Sequence, residues 1–329
     1  MAINPKLLEE LEARRRKVIL SGGEEKIAKR HEKGDWTARE RVDALFDSGS
    51  FTEIGMHTRH HCTNFGMQNK YIPGEGIVSG FGLVDGRPVA AVSADFMAQG
   101  GSLGYMHAMK ICDAQRYALK AGVPVIQMND SGGARLQEGV EALSGFANVF
   151  YNNVAASGVV PQISLILGPC AGGAAYSPAL TDFIIIRRGG AAGMYITGPK
   201  VIEQVTYEKC TMEEIGGADV HASVSGNAHF VANSDAEAIE IAKKLLSYLP
   251  SNNTQDPPHD LSCPLNIADD EGMNDIIPES NSTPMDMKRV IDHLVDEDSF
   301  MEVQANFAGN VIVGFARICG VVVGIIANQ

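Results

Sequence analysis

The sequence lacks the features that mark exported, membrane-spanning or nucleic-acid-binding proteins. Its six cysteines are scattered without a CxxC pair, which fits reduced thiols rather than a disulfide framework. No stretch approaches the roughly 20 uninterrupted apolar residues of a membrane helix, and the charged start has no apolar core for export. A formal net charge of -13 argues against broad attraction to nucleic acid. We therefore predict a cytoplasmic protein with no nucleic-acid partner.

Several catalytic signatures are also missing from the sequence. It contains no P-loop, and the segment GGSLG lacks the third-glycine spacing of a dinucleotide fingerprint. Ser131 does not lie in a GxSxG elbow. Cys170 lies in a glycine turn where a nucleophile would be well placed, but no partnered base can be assigned to it. We expect Cys170 to be a small packing residue.

The histidines give little support for a metal site or a general base. The segment HTRHHC places His57, His60, His61 and Cys62 close together, but no second ligand cluster stands at a recognised spacing. We therefore predict no metal in this chain. His107 lies within a helical pattern, where a packed or hydrogen-bonded role is favoured over that of a base.

Alternating strands and helices dominate the middle of the chain. GEGIVSGFGLVDGRPVAAVSADF has two apolar runs around Asp85 and Gly86, which predicts a β-hairpin. Buried-type strands such as VPVIQMND and PQISLILG then alternate with helical segments. This alternation predicts an α/β fold whose parallel strands are joined by right-handed helical crossovers.

The first 33 residues carry a charged helical pattern, and residues 251 to 285 carry no periodic pattern at all. Residues 5 to 33 predict a surface or interface helix pair, whose cluster Arg14, Arg15, Arg16 and Lys17 favours a solvated face over a phosphate site. Residues 251 to 285, rich in Asn, Asp, Pro and Ser, favour a linker or a draped loop. We therefore predict one domain over residues 1–285 and the beginning of another over residues 286–329.

An internal repeat supports that division. LVDEDSFMEV aligns without gaps on LFDSGSFTEI with five of ten residues identical, and IVGFARICGVVVGIIANQ aligns on VSGFGLVDGRPVAAVSAD in the same order. The last sixteen residues, dense in Val and Ile, predict two strands folded back on each other. Two unrelated hairpins that share β propensity are the alternative.

Three strand ends lead into glycine turns that are followed by helices: ADFMAQGGSLG, MNDSGGAR and GPCAGGAAYS. Backbone N–H groups at such turns can bind an anion or stabilise an oxyanion. The candidate donors are Gly133 and Ala134 in the second turn, and Gly172 and Gly173 in the third. Tight connection of strand and helix is the alternative role of these glycines.

Several segments together resemble the carboxyltransferase subunit of biotin-dependent acyl-CoA carboxylases, in the propionyl-CoA and methylmalonyl-CoA branch. The segments are TARERVDALFDSGSFTE, PGEGIVSGFG, GGSLGYMHAMKI, NDSGGARLQEGVEALSG, SGVVPQISLILGPCAGGAAYSPALTDFI, MYITGPKVI, GGADVHASVSGNAHF and LLSYLPSNN. The chain also resembles the methylmalonyl-CoA decarboxylase α subunit and the transcarboxylase large subunit. The resemblance implies a crotonase-like ββα superhelix, in which the acyl-CoA binds the N-terminal domain.

The resemblance also implies a mechanism and site residues. An enolate of the acyl-CoA attacks CO2 released from carboxybiotin, with no side-chain base, and biotin is carried on a separate carrier domain or protein. Gly172 and Gly173 are then the thioester oxyanion hole. Gly133 and Ala134 line the same pocket, and the segment from Gly100 through Gly101 to Ser102 lies along the CoA site.

Partners and alternatives follow from the same resemblance. Expected partners are a biotin carboxyl carrier protein, a biotin carboxylase or membrane decarboxylase subunits, and further copies of the chain in a hexamer. Because family subunits are longer, we expect this chain to bind acyl-CoA but to need a second domain for carboxyl transfer. The alternatives are a crotonase-type hydratase or isomerase with Glu138 or Glu141 as base, and a non-catalytic CoA-binding fragment.

Overall fold

The computed structural model describes residues 4–260, 262, 270–280 and 282–329, so that part of the predicted linker lies outside the described residues. The helices in these ranges are α1 Pro5–Ile19, α2 Glu24–His31, α3 Ala38–Leu45, α4 Tyr105–Ala121, α5 Val140–Ala156, α6 Gly173–Ala179, α7 Pro199–Thr206, α8 Met212–Gly216, α9 Ala218–Ser223, α10 Asp235–Leu246 and α11 Met287–Leu294. None of these helices is both long enough and apolar enough to cross a membrane.

The strands form one large sheet and one small sheet. They are β1 Thr52–Glu53, β2 Ile77–Val84, β3 Arg87–Ala94, β4 Val125–Ser131, β5 Gln162–Ala171, β6 Phe183–Arg187, β7 Gly193–Tyr195, β8 Phe230–Ala232, β9 Met301–Val303, β10 Val311–Ile318 and β11 Val321–Asn328. The large sheet has the order β1-β2-β3-β4-β5-β6-β8, and β7 pairs with the end of β5.

The pairing of the large sheet confirms the predicted α/β fold. β1, β2 and β3 are antiparallel, and the hairpin turns at Asp85 and Gly86, which both have positive φ as the predicted turn requires. From β3 onward every pairing in this sheet is parallel. A parallel sheet aligns the carboxyl ends of its strands, and this edge carries the candidate site.

Helices cover both faces of the large sheet. α3 and α10 pack on one face, against side chains such as Ile126, Ile163 and Leu165. α4 and α5 pack on the other face, against side chains such as Val92 and Ile166. Because the central strands are buried on both sides, their sequences are continuously apolar rather than alternating.

The two segments aligned as a repeat fold alike. The carboxylate of Asp47 accepts the N–H groups of the turn Asp85–Gly86 at 3.0 and 2.9 Å. The carboxylate of Asp296 accepts those of the turn Cys319–Gly320, both at 2.7 Å. β10 and β11 form the predicted hairpin, to which β9 adds a third strand. The shared arrangement supports the repeat, while the division into two domains stays a prediction.

Candidate active site

Two of the three glycine turns adjoin at the carboxyl edge of the parallel sheet. Ser131 at the end of β4 pairs with Cys170 near the end of β5, so the turns that follow them leave the sheet side by side. Gly133 has a φ of +98°, and a Cβ atom on it would lie 3.0 Å from the carbonyl oxygen of Ala171. Glycine is required there because the two turns approach so closely.

The hydrogen bonds of the two turns change the predicted set of donors. The N–H of Gly133 donates to the hydroxyl of Ser131 at 3.2 Å, and the N–H of Gly172 donates to the carbonyl of Tyr195 at 2.8 Å. Within the part of the chain that the structure describes, no protein group accepts from the N–H of Ala134 or of Gly173. Of the predicted pair Gly172 and Gly173, only Gly173 has an N–H without an acceptor in this structure, and the role of the pair stays a prediction. It leaves one free donor on each turn.

The backbone pairing of Ala134 sets the direction of its N–H. Leu103 donates to the carbonyl of Gly133 and accepts from the N–H of Arg135, both at 2.9 Å, in a parallel bridge opposite Ala134. In an extended segment successive N–H groups point to opposite sides. The N–H of Ala134 thus points away from Leu103, to the side on which β5 pairs with β4.

The first glycine turn lies on the other side of the second. Gly100 accepts the N–H of Gly132 at 2.9 Å, and Gly101 accepts the hydroxyl of Ser131 at 2.6 Å. Gly101, at a φ of +62°, lies so close to the carbonyl of Asp130 that no Cβ fits between them. The carbonyl of Ser102 accepts from Arg135. The three predicted turns thus form one contiguous surface.

A cleft of about 1090 Å³ borders this surface, and several positively charged side chains line the cleft. We call it the basic cleft. Its cationic side chains come from α1, α2 and the turn after α2, and they are Lys17, Lys26, Lys29, Arg30 and Lys33. Gly100 and Gly168 line it as well. Of the predicted basic cluster only Lys17 lines this cleft, whereas Arg14 and Arg15 form exposed ion pairs within α1.

A family model described as the carboxyl transferase domain matches residues 29–329. The chain belongs to the carboxyl transferase domain family. The resemblance found in the sequence is thereby confirmed. The adjoining turns are the candidate active site of this carboxyl transferase domain.

Three similar proteins come from the branch that the sequence resembles. The methylmalonyl-CoA decarboxylase subunit alpha of Veillonella parvula is 49% identical over all of this chain and 64% of its own length. The propionyl-CoA carboxylase beta chain of Saccharopolyspora erythraea is 48% identical over 98% of this chain and 60% of its own length. A crystal structure of transcarboxylase 12S, described as a hexamer with hydrolysed methylmalonyl-coenzyme A bound, superposes with a TM-score of 0.96 at 45% identity, over all of this chain and 65% of its own. The chain thus spans about 60 to 65% of the length of these relatives.

Most of the candidate nucleophiles and bases near the turns of this carboxyl transferase domain are buried or engaged in hydrogen bonds. Cys170 is fully buried, and burial raises the pKa of its thiol far above the ordinary value. The hydroxyl of Ser131 is engaged by Gly101 and Gly133. Glu138, one candidate base of a hydratase, is buried, and its two oxygens accept from Arg135 and from the N–H of Tyr105. Glu141, the other candidate, is exposed and lies 3.6 Å from His61.

The residues of HTRHHC do not converge on a common point. His60 hydrogen-bonds to the carbonyl of Lys70, whereas the buried thiol of Cys62 donates to the carbonyl of Gln137. Among the described residues, no group of three or more His, Cys, Asp or Glu side chains is arranged to hold a metal ion.

Sequence reasoning did not identify three groups that shape the turns. The hydroxyl of Ser131 accepts the N–H of Gly133, and the carbonyl of Tyr195 accepts the N–H of Gly172. Arg135 is 1% exposed and follows directly on Ala134. A charged residue among small ones, as in SGGAR, was the available signal for Arg135. Nothing in the sequence marks Tyr195, because a backbone carbonyl is a feature of every residue.

Proposed function

We propose that this chain is the acyl-CoA-binding part of a biotin-dependent carboxyltransferase with a crotonase-like fold. The reaction moves a carboxyl group between carboxybiotin and the α-carbon of a short acyl-CoA such as propionyl-CoA. One observation carries the proposal: the N–H groups of Ala134 and Gly173 have no acceptor among the described residues, and they lie in turns that leave neighbouring strands at the carboxyl edge of the sheet. Two such donors suit one thioester oxygen.

The two donors act on the charge that develops during the reaction. Removing the α-proton of a thioester, or a carboxyl group from that carbon, moves negative charge onto the carbonyl oxygen. Fixed N–H donors stabilise that charge more than they stabilise the neutral carbonyl, and one such donor is worth about 3 kcal/mol. Ala134 and Gly173 need no protonation change to do this, which agrees with the lack of a suitable base among the described side chains nearby.

Biotin enters the proposal as a second substrate on a separate carrier. It would supply the activated carboxyl group when bound. Because one pair of N–H groups holds one oxygen at a time, we assign the pair described here to the thioester. By the family resemblance, the biotin carbonyl is held by the second domain of a facing subunit.

The basic cleft suits the phosphates of coenzyme A. Its lysines lie on α1, α2 and the following turn, and Gly100 connects the cleft to the turns that carry the donors. Lys17 also lies over the ring of Tyr71, at 4.3 Å from the ring centre. On this proposal the cleft binds the nucleotide end of the ligand, and the thioester reaches the turns past Gly100, Gly101 and Ser102.

Association with further copies of the chain is part of the proposal. The outer side of α5 exposes an apolar row, consisting of Val140, Leu143, Tyr151 and Val154. Apolar rows of this kind mark protein interfaces. A hexamer is described for the transcarboxylase 12S relative. The carrier, carboxylase or decarboxylase partners and the cytoplasmic location stay predictions.

Replacement of Gly173 tests the proposal directly. Gly173 is the first residue of α6, a position where proline is tolerated but brings no N–H. Gly173→Pro therefore removes the donor, whereas Gly173→Ala keeps it and brings the same Cβ atom against Phe146, at 2.9 Å. We expect the infrared carbonyl band of bound [1-13C]propionyl-CoA to lie below its value in water for the alanine variant, and the proline variant, which keeps only the donor of Ala134, to show a clearly smaller shift.

Activity assays separate the alternatives. Hydration of crotonyl-CoA without biotin would favour a hydratase. Binding of propionyl-CoA with an unshifted carbonyl band would favour a non-catalytic CoA-binding protein. Carboxyl transfer from methylmalonyl-CoA to biotin is the outcome that the proposal requires.

A further inference from the structure

We infer that Arg135 is a positioning residue that holds the N–H of Ala134 in place for the thioester oxygen. The inference rests on the proposed function and deepens it, because it identifies what keeps one donor fixed. Arg135 does not reach the candidate site itself. It acts through the backbone of its neighbour and through two other segments of the chain, around Glu75 and Ser102.

The guanidinium of Arg135 joins three separate segments. Its Nη1 donates to Glu75 at 2.7 Å and to Glu138 at 2.8 Å, and its Nη2 donates to the carbonyl of Ser102 at 3.0 Å. All three charged side chains are at most 2% exposed. Hydrogen bonds of this kind between buried charges are short and directional, so they fix the backbone from which they project.

The carboxylates are themselves fixed by the backbone. Glu75 accepts the N–H of His60 at 2.9 Å, and Glu138 accepts that of Tyr105 at 2.7 Å. Glu75 holds a φ of +59°, which is unusual for a residue with a side chain. Such strain persists where the surroundings impose it. In this fold the strained turn aims the Glu75 carboxylate at Arg135.

The space around the guanidinium is filled. A Cβ atom on Gly104 would lie 2.6 Å from Nη1 of Arg135 and would overlap the carboxylate of Glu138. Lys110 adds a second cation close by, donating to the carbonyls of Gly74 and Ile77 on either side of Glu75 at 2.9 and 2.6 Å. The two cations balance the two carboxylates in charge.

These contacts meet the backbone of Ala134 on the side opposite its N–H. The bridge to Leu103 and the bond from Arg135 to Ser102 both attach the turn to the segment 100–103. The free N–H of Ala134 is left on the side on which β5 pairs with β4. Displacing a reacting group by about 1 Å can cost about 100-fold in rate, so a clamp of this kind matters for an oxyanion donor.

Two variants and a matched control test the inference. Arg135→Lys keeps the charge but loses the planar fork that reaches three acceptors. Glu138→Gln keeps an acceptor and is a milder change, which guards against a folding failure. Arg187→Lys is the control, because Arg187 is also a buried arginine between two carboxylates, Asp35 and Asp235, but does not contact the turns.

Amide hydrogen exchange measures the clamp without any ligand. In Arg135→Lys and Glu138→Gln we expect about tenfold faster exchange over residues 100–104 and 131–139, and unchanged exchange there in Arg187→Lys. Exchange that is unchanged in both test variants, or equally faster in the control, would overturn the inference. This outcome does not depend on whether the protein binds a thioester.

The carbonyl band of bound [1-13C]propionyl-CoA measures the consequence. We expect Arg135→Lys to lose at least half of the band shift while its Kd for propionyl-CoA changes by less than about threefold. A full shift in a folded Arg135→Lys protein would contradict the positioning role. If the wild-type protein bound the thioester with no shift, the proposed function would fail instead, and the exchange data would still decide whether Arg135 clamps the turn.

Discussion

Two networks of buried charges occur among the residues that the structure describes, and they have different roles. The first, the interior network, joins α2, α3, α10 and the ends of β4 and β6 through Arg30, Asp35, Arg41, Asp130, Arg187 and Asp235. The second, the loop network, joins Arg135 to Glu75 and Glu138. Both consist of arginines that contact carboxylates inside the protein.

The difference between the networks lies in what they connect. Arg41 is fully buried and contacts Asp235, which is 194 residues away in the chain. Burial alone would lower the pKa of Arg41, but Asp130 and Asp235 outweigh this effect and raise it. The interior network therefore fixes the helices on the sheet. The loop network connects turns within one edge of the sheet. The same chemistry thus contributes to global stability in one place and to local geometry in the other.

The strongest test of the comparison is Asp235→Ala. Arg41 and Arg187 both form ion pairs with Asp235, and the substitution removes this shared carboxylate. The loss of one partner from a buried ion pair costs about 3 to 5 kcal/mol. We expect a loss of that size in the free energy of unfolding, measured by urea denaturation. The affinity of the remaining folded protein for propionyl-CoA should stay within about twofold, because the turns are untouched.

Asp219→Ala is the control for that measurement. Asp219 forms an exposed ion pair with Arg188, and such pairs contribute about 0 to 1 kcal/mol. If Asp235→Ala destabilised the protein no more than Asp219→Ala, the interior network would not hold the helices on the sheet.

Gly101 lies where the two networks meet. A side chain there would collide with the carbonyl of Asp130, next to the interior network, and would displace Ser102, which the loop network holds. Positive φ adds to this cost, so we expect Gly101→Ala to lose about 2 to 4 kcal/mol of stability. Gly86 has a φ of +77°, but a Cβ atom added there meets open space. We therefore expect Gly86→Ala to lower the free energy of unfolding by only about 1 kcal/mol. Equal losses in thermal unfolding experiments would show that the contact with Asp130 is unimportant.

The stability of the protein should depend on pH because of His107, a buried histidine close to the loop network. Burial, followed by the charge of Arg135, lowers the pKa of His107 from 6.5 to about 3. Below pH 6.5 the unfolded chain therefore takes up a proton that the folded protein does not, and stability falls until the pH approaches 3. Between pH 7 and pH 5 this amounts to about 2 kcal/mol.

His107→Gln should remove that part of the pH dependence. We expect its unfolding free energy to fall less between pH 7 and pH 5 than that of the wild-type protein, whereas the exposed His259→Gln should behave as wild type. Parallel pH profiles for wild type and His107→Gln would mean that burial does not lower the pKa of His107 in the folded protein.

Much of the fold could be predicted because its signals are local. The hairpin at Asp85 and Gly86 and the apolar strands β4 and β5 follow from turn chemistry and periodicity, and the structure confirms them. The final hairpin is confirmed for the same reason, since Cys319 and Gly320 both take positive φ. The interior network could not be predicted, because Arg41 and Asp235 carry no local sign of each other.

The sequence predicts which turns carry the candidate site, but not which of their N–H groups have no acceptor. Gly133 and Gly172 were expected as donors from their place in a strand-turn-helix pattern. Whether an N–H is free depends on what tertiary packing brings near it, and here the hydroxyl of Ser131 and the carbonyl of Tyr195 occupy both groups. Glycine spacing identifies a turn where a ligand can approach. It does not identify which of two successive N–H groups faces that ligand.

The smallest expected effect concerns the charges that are exposed rather than buried. Lys33 is exposed and lines the basic cleft, where the proposed function places the phosphates of coenzyme A. Exposed charges contribute about 0.5 to 1 kcal/mol, so Lys33→Ala should weaken propionyl-CoA binding about two- to fivefold in calorimetric titrations, and less at high salt. Binding of propionyl-pantetheine, which lacks the nucleotide, should not change.

Lys120→Ala is the control, because Lys120 is an exposed lysine on α4 outside the cleft. This variant should leave both affinities as they are. A similar loss for the two lysine variants would mean that net charge, rather than the cleft, attracts the ligand. A loss with propionyl-pantetheine would mean that the cleft holds another part of it.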